Sequence, residues 1–231
     1  TANINVLAML VNERKIGEHK LNDNVIIVCA GNAMSHRAGT NPLPSHFKDR
    51  VTFLEVEPDL EAFMSYANSK KLHEYIVGFL RNRPAFLSMF DPKIDSCPSP
   101  RSWMRVNTIL KMNMPYKLRN QTIKGQVGEA AQADFLGYLR VADKIPDPQL
   151  ILSGECKDIP EDNVVMYALC AALSTLVTTT TARHFVNYLS ILPNKEFAAF
   201  TIRDALQRDK KLKANKYVTS WFMSEGKTLL L

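Results

Sequence analysis

The chain has 231 residues, 46% hydrophobic and 23% charged, with 29 Lys and Arg against 23 Asp and Glu for a formal net charge of +6. Such a balance excludes a disordered or low-complexity polymer and leaves enough apolar residues for one large domain or two small ones. No apolar run approaches the roughly 18 to 20 residues that cross a bilayer, and no basic segment followed by an apolar block opens the chain. No membrane partner is therefore expected, and a reducing cytoplasm is the expected location.

In chain order, Ile4, Leu7, Ala8 and Val11 recur at helical spacing and predict an amphipathic helix over the first dozen residues. Gly17, between short basic and apolar stretches, suits a tight β-turn, and Asn22, Asp23 and Asn24 close that segment as a polar loop. Residues 25–30 (VIIVCA) are apolar without alternation, the pattern of a strand covered on both faces in a parallel sheet, and residues 51–56 (VTFLEV) are a second strand candidate. The two together imply an α/β layer.

From Pro58 onward the pattern changes to helices separated by proline breaks, so the boundary is set between residues 57 and 58. Leu60, Phe63, Met64 and Ala67 form one apolar stripe; Ile76, Phe79 and Leu80 form another, stopped by Pro84. Ser102 precedes a helix with Trp103, Val106 and Leu110. Val127, Ala131, Phe135 and Leu139 line a further helix, ended by the turn at Pro146 and Pro148. Val165, Leu169, Leu173 and Leu176 run down a long one, and Leu189 and residues 197–206 fall on the last two. Two strands are too few for a covered sheet, so further strands are expected upstream of Thr1. The opening Thr1-Ala2-Asn3, with no initiator methionine, fits a shortened or processed product.

Cysteines 29, 97, 156 and 170 lack CxxC spacing, and the five histidines share no common spacing, so no metal site is expected and capping or surface roles are. Residues 203–216 hold six basic side chains against two acids, read first as a solvated helix end. Nucleic acid is compatible with this cluster but not favoured, since only Tyr217 and Trp221 follow it as aromatics.

The stretch VIIVCAGN, followed by LPSHFKDRVTFLEV and later SPRSW, resembles the half of a MoxR-like AAA+ ATPase that follows the Walker B strand. NINVLAMLVNERKIGEHKLNDN is similar to the helix and hairpin after that strand, and GQVGEAAQADFLGYL and IPDPQLIL to the C-terminal helical region. The resemblance covers most of the chain. It implies an α/β fold turning to mostly α: a partial P-loop-type core over residues 1–57, then a helical lid and C-terminal helices over 58–231. It places Asn32 at the sensor 1 position, which orients the attacking water; an amide offers donor and acceptor without charge. It places Arg50 at the arginine finger, whose planar and permanent charge reaches a neighbouring subunit's nucleotide. Arg101 falls at sensor 2, a nucleotide-binding role at the start of a lid helix, and Arg37 is an interface candidate only.

What the resemblance implies for the intact protein is ATP with magnesium, a homo-oligomeric ring, hexameric in the family, and a protein substrate or adaptor that the ring remodels. No GxxxxGK[ST] loop and no strand ending in Asp-Glu occurs in this sequence, so the chain alone holds an incomplete site. The alternative reading is a truncated, non-catalytic AAA+-derived scaffold or adaptor.

Overall fold

The computed structural model describes residues 2–31 and 45–225, and the chain divides into two compact units, Thr1–Glu57 and Pro58–Leu231. In the first unit, helix α1 (Ala2–Glu13) leads into a two-stranded antiparallel hairpin, β1 (Lys15–Ile16) and β2 (His19–Lys20), with Lys15 opposite Lys20 and Ile16 opposite His19. Gly17 makes the turn at φ 58°, a left-handed conformation that costs glycine nothing. Arg14 is also left-handed, at φ 54°, where a side chain costs roughly 1 kcal/mol. Its guanidinium offsets that strain by donating to the carbonyls of Asn22 at 2.8 Å and Val25 at 2.6 Å, so the residue that turns the chain also ties down the loop after the hairpin.

The strand expectation for residues 25–30 and 51–56 is corrected here: neither segment forms a strand. An apolar β-forming run becomes a strand only when a neighbour accepts its ladder of hydrogen bonds. Among the described residues the hairpin is the whole sheet, and Ile26, Val28, Leu54 and Val56 are each more than four-fifths exposed. One helical turn, α2 (Ser45–Lys48), precedes the second segment and buries Phe47.

Among its described residues the regular structure of the second unit is all helical: α3 (Leu60–Ser69), α4 (Glu74–Asn82), α5 (Pro100–Lys111), α6 (Tyr116–Ala142), α7 (Pro148–Ser153), α8 (Asn163–Leu176), α9 (Ala182–Ile191), α10 (Lys195–Arg208) and α11 (Lys216–Ser224). The fold is thus mostly α. Caps set many of the boundaries. Asp59, Asp147, Asp162, Asn194 and Asn215 each accept a backbone N–H of the first turn of the helix they precede, which satisfies donors that a helix start otherwise leaves open. His73 does the same for α4 through Nδ1, at 3.3 Å from the Tyr75 amide. Burial lowers the His73 pKa, opposed by Glu74 and reinforced by Lys111 and Arg208, which keeps that nitrogen free to accept.

Helix α8 is apolar nearly all round, and the core explains why. Its Ala168 and Ala171 join a cluster built from α3 to α6, with Met64, Ile76, Phe79, Trp103, Ile123 and Phe135 at the centre. Its Met166, Leu169, Cys170 and Leu173 join a second cluster from α7 to α11. Burial pushes the Cys170 thiol up to about 12, against a hydrogen bond with Thr201 that lowers it, so this cysteine packs as a small apolar side chain. Helix α6 breaks at Gly128 (φ 80°, ψ 170°), where a Cβ would stand 2.5 Å from the Ser96 carbonyl oxygen. That close approach seats the loop before α5 against the kink.

Candidate functional site

Helix α5 carries the first candidate. Its start is fixed one turn earlier than the sequence suggested: Ser99, not Ser102, is the N-cap, Pro100 is the first helical residue, and Ser102 closes a reciprocal capping box with Ser99 at 2.8 and 3.1 Å. Trp103 then locks the helix in place. It is fully buried, its indole N–H donates to the Phe86 carbonyl at 2.7 Å, and its ring packs against Phe79 and Phe135 at 5.4 and 5.5 Å. Arg101 lies between these anchors, exposed on the first turn. A guanidinium on such a rigid base can meet an anion without ordering the backbone first.

Arg50 follows α2, its amide bonded to the Phe47 carbonyl at 3.1 Å. The side chain is exposed, and Nε donates to Asn12 Oδ1 at 2.9 Å. That acceptor is neutral, whereas a bond from a guanidinium to a phosphate oxygen is charge-assisted on both sides. Asn32 and Arg37 lie outside the described residues. Arg50 and Arg101 belong to different units.

Among the described residues a dense charge network corrects the reading of residues 203–216 as a solvated helix end: Arg203, Asp204 and Arg208 turn inward to Glu61, Asn68 and Arg81. Arg81, from α4, makes a two-pronged ion pair with Asp204 of α10: Nε to Oδ2 at 2.8 Å and Nη2 to Oδ1 at 2.6 Å, both side chains almost wholly buried. The third arginine nitrogen donates to Glu61 of α3 at 2.8 Å, and Arg203 donates to the other Glu61 oxygen at 3.0 Å. Asn68 donates to Asp204 and Gln207, each at 3.0 Å, while Arg208 donates to Asn68 at 2.9 Å and to the Leu72 carbonyl at 2.7 Å. Phe200 covers the Arg81 guanidinium at 4.7 Å. Burial opposes the Arg81 charge, but Asp204 and Glu61 more than offset it and hold the group cationic at any ordinary pH. With each acceptor matched by a donor, the network is a clamp of α3, α4 and α10 rather than a reactive centre.

Two carboxylates give the clamp pH dependences of opposite sign: burial raises the Asp204 pKa against the pull of Arg81, whereas Glu61 is lowered. Partial burial raises the Glu61 pKa, yet the hydrogen bonds and charges of Arg81 and Arg203 outweigh this and lower it below its ordinary 4.5. A depressed carboxyl stabilises the fold fully above its unfolded pKa, and that contribution is lost as pH falls through the folded value. The effect is modest, because the Glu61 side chain is 44% exposed and solvent screens it. Urea unfolding followed from about pH 6 to pH 3 is expected to lose stability, less steeply in Glu61→Gln than in the parent; equal slopes would remove Glu61 from this account.

A mostly apolar cleft of about 150 Å³ lies beside Gly128, lined by Phe86, Met89, Ile94, Pro98 and Val127. Small-molecule sites are typically clefts of roughly 300 to 1,000 Å³, so this one is too small for a nucleotide. Among the described residues no group of three or more His, Cys, Asp or Glu side chains is placed to hold a metal ion, and no helix is long and apolar enough to cross a membrane. Among the described residues, Arg50 and Arg101 offer single cationic contacts to an anion, and no group of magnesium ligands is placed. No protein-family model, no curated protein and no solved structure matches this chain.

Proposed function

We propose that this chain is the C-terminal portion of a MoxR-like AAA+ ATPase, in which ATP binding and hydrolysis drive remodelling of a protein partner by a homo-oligomeric ring. The observation that carries the reading is the ordered set Asn32, Arg50 and Arg101 within the stretches that resemble that family. Two features support it. Arg50, just after the one-turn α2, and Arg101, in the first turn of α5, are both exposed, and among the described residues after residue 58 all regular structure is helical, as in a lid with appended helices.

The roles assigned to this chain are confined to those three residues. Asn32 orients water, Arg50 reaches the nucleotide of the adjacent subunit, and Arg101 couples the start of α5 to the terminal phosphate. The phosphate-cradling loop and the magnesium carboxylates would come from sequence outside this chain.

The natural gene product carrying this sequence, assembled and supplied with Mg-ATP, is expected to release phosphate at a rate per subunit that rises with protein concentration as the ring forms. Phosphate release no faster than buffer alone would overturn the proposal and leave the non-catalytic scaffold.

A further inference from the structure

The basic run over residues 203–216 divides in the folded chain. Arg203 and Arg208 turn inward to Glu61, Asn68 and the Leu72 carbonyl. Lys210, Lys211, Lys213 and Lys216 remain exposed, and among the described residues none of the four lies within ion-pair distance of a carboxylate. Asp209, the one acid beside them, uses its carboxylate to cap the Lys211 amide at 2.9 Å.

Local structure gathers the cations. Lys210–Ala214 is a 3₁₀ turn, in which side chains three apart are eclipsed, so Lys210 and Lys213 share a face while the buried Leu212 anchors the turn. Helix α9 adds a cation that the sequence reading did not associate with the run: exposed Arg183 lies 5.9 Å from the centre of the Tyr217 ring, and the Lys216 ammonium lies 5.0 Å from it. Asn215 donates to the Thr179 carbonyl at 2.9 Å, which brings the hydroxyl-rich loop at residues 178–181 alongside. Five like charges in one region repel one another, and an anionic partner relieves that repulsion.

We propose that Lys210, Lys211, Lys213, Lys216 and Arg183 form a nucleic-acid-binding face that grips the phosphate backbone without reading sequence. The proposal does not depend on the ATPase reading. The surroundings favour a phosphate chain over a lipid surface. A membrane-bound segment presents an apolar face beside its cations, whereas Leu212, Val218 and Trp221 point inward, leaving Met223 as the large apolar side chain exposed on this segment among the described residues. The polar neighbours include the threonine hydroxyls of residues 178–181, a group type that contacts phosphate oxygens.

The test is fluorescence anisotropy of the full chain with a labelled thymidine oligonucleotide of about 20 residues, titrated at several salt concentrations. Five phosphate contacts on a single strand predict a slope of log affinity against log salt near −3.5, a loss of about 100-fold between 50 and 200 mM. The variant K210Q/K211Q/K213Q/K216Q is expected to bind at least tenfold more weakly with a slope near −0.7. The charge-matched control K93Q/K117Q/K144Q/K157Q, exposed lysines on other elements, keeps the parent slope, and circular dichroism checks that both fold. No binding by the parent chain, equal loss in both variants, or binding to vesicles containing phosphatidylserine but not to the oligonucleotide would each overturn the proposal.

Discussion

Arg50→Ala is expected to lower the turnover of ATP by the assembled natural product roughly 10³-fold or more, with the KM for ATP little changed, because an arginine finger acts on charge that develops only during phosphoryl transfer. The structure supplies the control. Arg50 Nε donates to Asn12 Oδ1 within its own unit, and Asn12→Ala removes that bond while keeping the guanidinium. Asn12→Ala is therefore expected to keep near-parent turnover. Equal loss in the two variants would make Arg50 a local brace, and a raised KM at unchanged turnover would make it a binding residue.

Asp204→Ala is expected to destabilise the helical unit by about 3 to 5 kcal/mol, a large share of the roughly 5 to 15 kcal/mol that holds a domain folded. The cause is the guanidinium left behind rather than the ion pair lost. Arg81 is 7% exposed and would keep only Glu61 as a charged partner, with two of its donors facing a vacated space. Removing both charges together is a different change: Arg81→Met with Asp204→Leu replaces the pair by apolar volume against Phe200 and is expected to recover most of the loss. Urea unfolding of the two single variants and the double variant measures this directly. A double variant as unstable as Asp204→Ala would mean that Asn68, Gln207 and Arg208 need the carboxylate for their own order.

What the sequence disclosed followed from local pattern. The stripes on α3, α4 and α8 have helical spacing that no other structure satisfies, and Gly17 marks a turn where a left-handed residue is needed. Residues 25–30 and 51–56 misled because strand character is not local: β-branched residues favour an extended run, but a strand also needs a ladder partner, and among the described residues neither segment has one. Helix α11 and the 3₁₀ turn before it were hidden by lysines, although Leu212, Val218 and Trp221 recur at inward positions. The first half of α6 was hidden in another way, since its apolar positions are sparse and the kink at Gly128 shifts their register.

The site was legible in part. SPRSW reads as a helix start, and the cap proved to be Ser99 rather than Ser102, a shift that leaves Arg101 inside the first turn. The clamp was missed because Arg81 and Asp204, 123 residues apart, each look like an ordinary helix charge alone. A usable signal existed: Arg81 continues the apolar run from Ile76 to Leu80, and Asp204 stands between Ile202 and Ala205, so each charge falls on a buried stripe. Charges placed there need partners.

The most direct measurement of the central claim is subunit mixing. If Asn32 serves its own subunit's nucleotide and Arg50 serves the neighbour's, two inactive proteins, Asn32→Ala and Arg50→Ala, complement each other at every seam that joins an intact Asn32 to an intact Arg50. Random assembly of equal amounts predicts recovery of about a quarter of the parent ATPase rate. Phosphate release that stays at the level of the two separate variants would contradict an arginine acting across subunits, and with it the account of this chain as part of a ring ATPase.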